Sequence, residues 1–191
     1  QYRPSLSVNL SVMFAYGTAY ELPEKRQAAH FAEHMMFRKG SRADYRQRHE
    51  ELGHLSVNGV NAFTGFESIV LGNDNVFTAL PQSAPRLARL LGEAVYDDRI
   101  EDEFFEAERQ IVLKELLPIE QSEICAFFRK VDRALWGDSH PYTLAAEPCV
   151  DNIRALSIDD VRDVFNYLAG RNVVISLVGC FDEETISAIK E

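Results

Sequence analysis

A chain of 191 residues, 46% of them hydrophobic, is long enough to bury one sizeable core, and residues 1–191 read as a single domain. A net charge of −10 argues against non-specific nucleic-acid binding, which needs clustered Lys and Arg, and no run of 18 or more apolar residues offers a membrane span. The three cysteines, Cys125, Cys149 and Cys180, are far apart and form no C-x-x-C pair. They argue against a disulfide framework or a thiolate metal site, and read as buried free thiols of a reducing, cytoplasmic setting.

Leu6, Val8, Leu10 and Val12 alternate with small polar residues, so Ser5 to Tyr16 reads as a half-buried strand ended by Gly17. After a polar loop holding Pro23, Arg26 to Phe37 reads as a helix rich in good formers, closed by Gly40 and Ser41. The basic stretch from Arg38 to Arg48 reads as a solvated loop and helix face, within which Asp44 to Leu52 is a short helix stopped by Gly53. His54 to Thr64 and Phe66 to Leu71 flank Gly65 as a β-hairpin. Leu87, Leu90 and Leu91 mark a helix from Gln82 to Val95. A stronger one runs from Asp102 to Leu117, with Phe105, Ile111, Val112 and Leu116 inward, and Pro118 ends or kinks it. The helical pattern resumes from Ser122 to Trp136, and His140 to Pro148 reads as a loop. Ser157 to Asp160 resembles a capping box opening a helix to about Leu168, followed by a buried strand from Asn172 to Val178. Trp136 and the phenylalanines are assigned to the core, His49 and His54 to the surface, and His140 to a turn. The order predicts an α+β fold, a two-layer sandwich of a mainly antiparallel sheet with helices packed on it.

The informative string is His30-Phe31-Ala32-Glu33-His34. On a helix, residues four apart share a face, so His30 and His34 can aim imidazole nitrogens at one ion. Glu33 can reach a metal-bound water without being a ligand and act as general base. H-x-x-E-H inverts the commoner H-E-x-x-H zinc order. The bland alternative is a surface helix carrying two solvated histidines. A catalytic zinc wants three protein ligands and an open position. Glu108 and Glu115, seven apart on one predicted helix, share a face, with Ile111 and Val112 expected elsewhere. Either carboxylate could be the third ligand, the other orienting a histidine.

His30 to Phe37 followed by Lys39-Gly40-Ser41 resembles the H-F-L-E-H-M-x-F-K-G-T motif of the M16 peptidase family, the pitrilysin, insulin-degrading enzyme and mitochondrial processing peptidase family. Glu108 to Glu115 resembles its E-R-x-V-I-L-x-E helix, which implies that Glu115 binds zinc and Glu108 is the supporting acid. Val60-Asn61-Ala62-Phe63-Thr64, with Glu67 after it, resembles the N-A-x-T strand beside that family's active site. His140-Pro141-Tyr142 resembles its H-P-Y loop, and Ile153 to Asp182 its I-x-x-L-x-x-x-D-V helix and following V-G-x-F-D strand end. Three departures stand out. Gln27 occupies the usual glycine position before the zinc helix, one extra residue lies between Phe37 and Gly40, and the 80 residues between His34 and Glu115 exceed the usual spacing by a few.

The resemblance implies a zinc endopeptidase with one Zn2+ per chain held by His30, His34 and Glu115, Glu33 as base, and Glu108 in support. A peptide or protein substrate is expected to lie as an extended strand on Asn61, Ala62 and Phe63. The family's second, related domain, which supplies an Arg and a Tyr near the scissile bond, has no counterpart in this sequence, so a further M16-like domain or subunit is the expected partner. The runner-up is a non-catalytic structural or assembly subunit of an M16-like complex. Retention of Glu33 speaks against it, because a purely structural subunit needs no base beside the metal.

Overall fold

The computed structural model describes residues 6–57, 59, 61–72, 77–97, 99–169 and 173–191. Its centre is strand β1 (Val8–Phe14), whose alternate residues Val8, Leu10, Val12 and Phe14 are buried while Met13 is exposed. That alternation is what a sheet covered by helices on one face requires. Leu6, assigned to the same apolar stripe, instead lies 82% exposed ahead of the strand.

Along one side β1 pairs over its whole length with β5 (Val173–Gly179). Along the other it pairs with β3 (Ile69–Leu71) near its C-terminal end and with β4 (Phe77–Ala79) near its N-terminal end. β2 (Ala62–Thr64) continues outward from β3. Every pairing among the described residues is antiparallel, as expected. β4 was not foreseen, since its three residues are too few for alternation to register. The predicted hairpin exists as β2 and β3. The first run is shorter than expected, because His54 and Leu55 belong to a helix and Val60 falls outside the described residues.

The helices are α1 (Ala28–Met36), α2 (Arg42–Leu55), α3 (Ala84–Tyr96), α4 (Asp102–Gln121), α5 (Glu123–Trp136), α6 (Pro141–Ala145), α7 (Val150–Ala155), α8 (Ile158–Ala169) and α9 (Glu183–Lys190). α1 is packed against α4 and α8, and α3 against α8, α9 and β1. Six of the nine residues of α1 are buried, among them Phe31, whose ring stacks on Phe105 of α4 with centroids 4.7 Å apart. Burial on this scale anchors the helix far more firmly than propensity would, at about 1.5–3 kcal/mol for each large apolar side chain.

Several expectations fail for identifiable reasons. α2 begins earlier, at a capping box of Ser41 and Asp44, and runs through Gly53 to Leu55. Its burial of Leu52 outweighs the roughly 1 kcal/mol that an exposed helical glycine costs. α4 passes Pro118 by one turn before Ser122 caps α5, so the proline neither ends the helix nor separates it far from the next. The stretch from His140 to Pro148 holds the short helix α6, capped by His140 Nδ1, which accepts from Tyr142 N at 3.2 Å. The helix from Ser157 is as predicted, with Asp160 and Ser157 bonding each other's backbone N–H. β5 is a strand but not a buried one. Among the described residues it pairs only with β1 and so lies at an edge, where even Val173 and Ile175, on the same face as the buried Phe14 and Val12, are exposed, while Val174 and Val178 lie on the opposite face with the exposed Met13 (Asn172, its predicted first residue, is outside the described residues).

The basic stretch is less solvated than read. Lys39 is fully buried, donating to Val95 O at 2.7 Å with its ammonium over the Phe165 ring, and Arg48 is buried against Asp97 at 3.0 Å. Trp136, Phe63, Phe66, Phe127, Phe128 and Phe181 are exposed rather than core; three of them, Phe127, Phe128 and Trp136, lie on α5, which buries no residue. None of the three cysteines is buried; Cys180 is exposed and the other two are half-buried, all as free thiols. No described helix is long and apolar enough to cross a membrane.

Candidate metal centre

The predicted site residues converge. His30 and His34 stand one turn apart on α1, and α4 lies across that turn, bringing Glu115 to both. His30 Nε2 and His34 Nε2 are 3.2 Å apart, and Glu115 Oε2 is 3.6 Å from the first and 3.3 Å from the second. Two nitrogens at that separation can share only one proton, so a triangle of three donors faces one point. Ligands held at about 2.0–2.1 Å in a tetrahedron around zinc lie roughly 3.3 Å from each other. The observed edges match that spacing, and the nitrogen, nitrogen, oxygen donor set is a common zinc set with a fourth position to spare. The three residues therefore fit a zinc ion without rearrangement.

Each histidine is oriented from behind. His34 Nδ1 lies 3.1 Å from Glu108 Oε2, and His30 Nδ1 lies 3.2 Å from Gln27 Oε1. Glu108 is 1% exposed, and its other oxygen rests against Arg38 Nε as an ion pair without hydrogen-bond alignment. Contrary to expectation, Ile111 does not point elsewhere. At i+3 from Glu108 it shares the face of the two glutamates and lines the cleft, while Val112 is buried.

Electrostatics follow from this packing. Burial, helped by the neighbouring His34, pushes the His30 imidazole down to about 4, so it is neutral with a lone pair to give. Burial also lowers His34, but the hydrogen bond to Glu108 and the charges of Glu33, Glu115 and Glu108 outweigh it and hold that imidazole above its ordinary value. Burial raises the Glu33 carboxyl above the usual range, against the opposing pull of His34 and of Thr64. Thr64 Oγ1 donates to Glu33 Oε2 at 3.3 Å, which ties the side chain to β2.

The cleft over these groups is walled by Asn61, Ala62, Phe63 and Thr64 on one side and by Arg38, Tyr45 and His49 on another. An adjoining depression shares His30, Phe63 and Thr64 and continues to Phe66 and Tyr142. Asn61 O accepts from Gly72 N at 2.9 Å, and Gly65 N donates to Ser68 O at 2.8 Å. By the two-residue period of a strand, the N–H and C=O of Ala62 and Thr64 then face away from β3, along the cleft. Among the described residues β2 has no second strand partner.

Sequence reading missed several supporting groups. Glu21 receives the N–H groups of Gln27 at 2.7 Å and Ala29 at 2.5 Å at the start of α1. Burial pushes its carboxyl up to about 7 despite those backbone bonds. Tyr142 donates to Glu67, joining the H-P-Y segment to the loop after β2, and Gly17 passes so close to that loop that a Cβ would collide with the Gly65 and Phe66 carbonyl oxygens. Gln27 was visible only as a departure from an expected glycine. The Tyr142–Glu67 contact and the Gly17 approach have no local sequence pattern, because they join segments that meet only after folding.

A family model described as Insulinase (Peptidase family M16) matches residues 1–145. The chain is 25% identical over 177 residues to the Mitochondrial-processing peptidase subunit beta of Dictyostelium discoideum, covering 92% of this chain and 37% of that protein. It is 26% identical over 165 residues to the Cytochrome b-c1 complex subunit 1, mitochondrial, of Mus musculus, covering 85% and 33%. The crystal structure of a protease from Helicobacter pylori superposes with a TM-score of 0.80 at 18% identity, covering 98% of this chain and 45% of that one, a likeness of fold. The chain thus spans roughly a third of the length of these two curated relatives.

Proposed function

We propose, from the premise that this chain belongs to the insulinase family, peptidase family M16, that it carries the catalytic half of a zinc-dependent endopeptidase. The observation that carries the reading is the donor triangle of His30, His34 and Glu115 with the half-buried carboxyl of Glu33 beside it. A zinc ion bound there would polarise a scissile carbonyl and bring the pKa of a bound water to about 7. Glu33, tied by Thr64, takes a proton from the attacking water and returns it to the leaving amine. A carboxyl raised by burial suits both duties near neutral pH better than an ordinary glutamate. The outward N–H and C=O of Ala62 pair with the backbone of an extended peptide, which sets its register without demanding one sequence.

Glu33→Gln is the decisive variant. It should keep stoichiometric zinc by elemental analysis and lose peptide hydrolysis by roughly 10²–10⁴-fold. Cleavage at the parental rate by the zinc-loaded variant would remove Glu33 from the mechanism.

A second reading is supported by one of the relatives, which is named for the cytochrome b-c1 complex and not for a peptidase. On that reading the chain is a structural or assembly subunit, and the parent itself would leave every peptide uncut even when loaded with zinc and supplied with its partner. The open cleft along β2 supports the need for a partner, since enclosure expels water and strengthens electrostatic stabilisation. A second M16-like domain or subunit is the proposed cover. Light scattering combined with activity titrated against candidate partner subunits tests this, and full activity from a monomer would sink it.

A further inference from the structure

We infer that Gln27, at the N-terminal boundary of α1, is a positioning residue that fixes the tautomer and aim of His30 for a divalent cation, an inference that rests on the zinc reading above. Gln27 has φ 74° and ψ 5°, the left-handed region, where an L side chain is disfavoured and glycine is the least strained occupant. Among the described residues only Cys149 shares that condition without being glycine. The strain is matched by what the side chain does. Gln27 is 7% exposed, and its Nε2 donates to Glu147 O at 3.4 Å, which turns Oε1 toward His30 Nδ1 at 3.2 Å. With the amide set that way, His30 Nδ1 must carry the hydrogen. Its Nε2 is then a bare lone pair, on the side of the ring that faces His34 and Glu115.

The backbone is held to this conformation from two sides. Glu21 accepts from Gln27 N and from Ala29 N, bracketing the left-handed residue, while Gln27 O accepts the first helical hydrogen bond, from Phe31 N at 2.9 Å. The arrangement parallels that of His34, whose Nδ1 meets Glu108. Both histidines thus have a fixed acceptor at Nδ1 and present Nε2 inward, one by way of a carboxylate and one by way of an amide. A glycine at position 27 would relieve the backbone but leave His30 free to rotate and to exchange tautomers. Partners of this kind are worth about 10–100-fold in metal affinity.

The test is zinc affinity by chelator competition on the full chain, with the thermal midpoint of the metal-free protein measured beside it. Gln27→Gly should weaken zinc binding about 10–100-fold without lowering the metal-free midpoint. Gln27→Asn, which tolerates the left-handed backbone but is one methylene short, should weaken it similarly. Gln27→Glu keeps an acceptor for Nδ1 but sets an oxygen in place of the donor to the Glu147 carbonyl, so it should weaken zinc binding less than Gln27→Gly does. Parental affinity in Gln27→Gly overturns the inference. So does a loss of affinity that merely follows a loss of thermal stability across the three variants, since that marks a structural role. Absence of zinc from the parent chain would overturn the metal reading itself and this inference with it.

Discussion

Glu108 is the supporting group whose removal should cost most. It is 1% exposed, receives His34 Nδ1 at 3.1 Å through one oxygen and faces Arg38 with the other. Glu108→Leu leaves the imidazole N–H and the guanidinium without this partner. Breaking a fully buried pair costs about 3–5 kcal/mol. The Arg38 side chain is 32% exposed and regains some hydration, so about 2–3 kcal/mol is the expected loss. For a domain of this size that lowers the melting midpoint of the metal-free protein by roughly 5–10 °C. Glu108→Gln keeps an acceptor for His34 but gives up the charge, and the difference between charged and neutral hydrogen bonds sets its loss at about 1 kcal/mol. Both variants should bind zinc more weakly, by about 10–100-fold for the leucine and less for the glutamine. The His34 imidazole, which Glu108 helps hold up, should titrate lower in both, as NMR would show. Circular dichroism melts and chelator competition give the other two readouts. A leucine variant melting within about 2 °C of the parent, with zinc affinity inside twofold, would refute the assignment of Glu108 as the anchor of His34.

Other perturbations probe separate parts of the structure. Glu115→Ala removes one corner of the donor triangle and should abolish stoichiometric zinc while leaving the fold intact, because its side chain is 49% exposed; full zinc occupancy on elemental analysis would remove it from the ligand set. Ala62→Pro deletes the outward N–H of β2, and one main-chain hydrogen bond is worth about 0.5–1.5 kcal/mol, so KM for an extended peptide should rise roughly 2–10-fold with kcat little changed. An unaltered KM in a folded variant would place the peptide off this strand. Asp97 should govern acid stability. Burial would raise its carboxyl, but Arg99 and Arg48 outweigh that and hold it at about 2, below the value of 3.8 it has when unfolded. The stabilisation it provides is therefore present above about pH 4 and fades as pH falls toward 2. Urea melts of Asp97→Asn should show a deficit against the parent at neutral pH that shrinks over that window, and a deficit constant with pH would contradict the assignment.

Two pairs of the candidate site were legible in the sequence because helical geometry is local. His30 and His34 share a face by their spacing alone, and Glu108 and Glu115 do likewise. The alternation in β1 named its buried face, and the Ser157 cap named the start of α8. Local pattern could not say which of the two glutamates meets the histidines. That choice is made by how α4 crosses α1, with Phe105 stacked on Phe31, which sets Glu115 between the two imidazoles and Glu108 behind one of them. Likewise Lys39 and Arg48 looked like solvent-facing charges until α3, α8 and the loop holding Asp97 closed over them. β5 looked like core because its residues are apolar, yet among the described residues it lies beside β1 alone, at the edge of the sheet, and is exposed. Gln27 is the sharpest case. The family resemblance marks it only as a departure from the usual glycine, and the left-handed backbone appears only in the fold. Glu147 lies 120 positions away in sequence, and only the folded chain brings its carbonyl near enough to set the amide and, through it, the ring of His30. Periodicity fixes which side chains share one element's face, while contacts between elements depend on packing that no single stretch of sequence encodes.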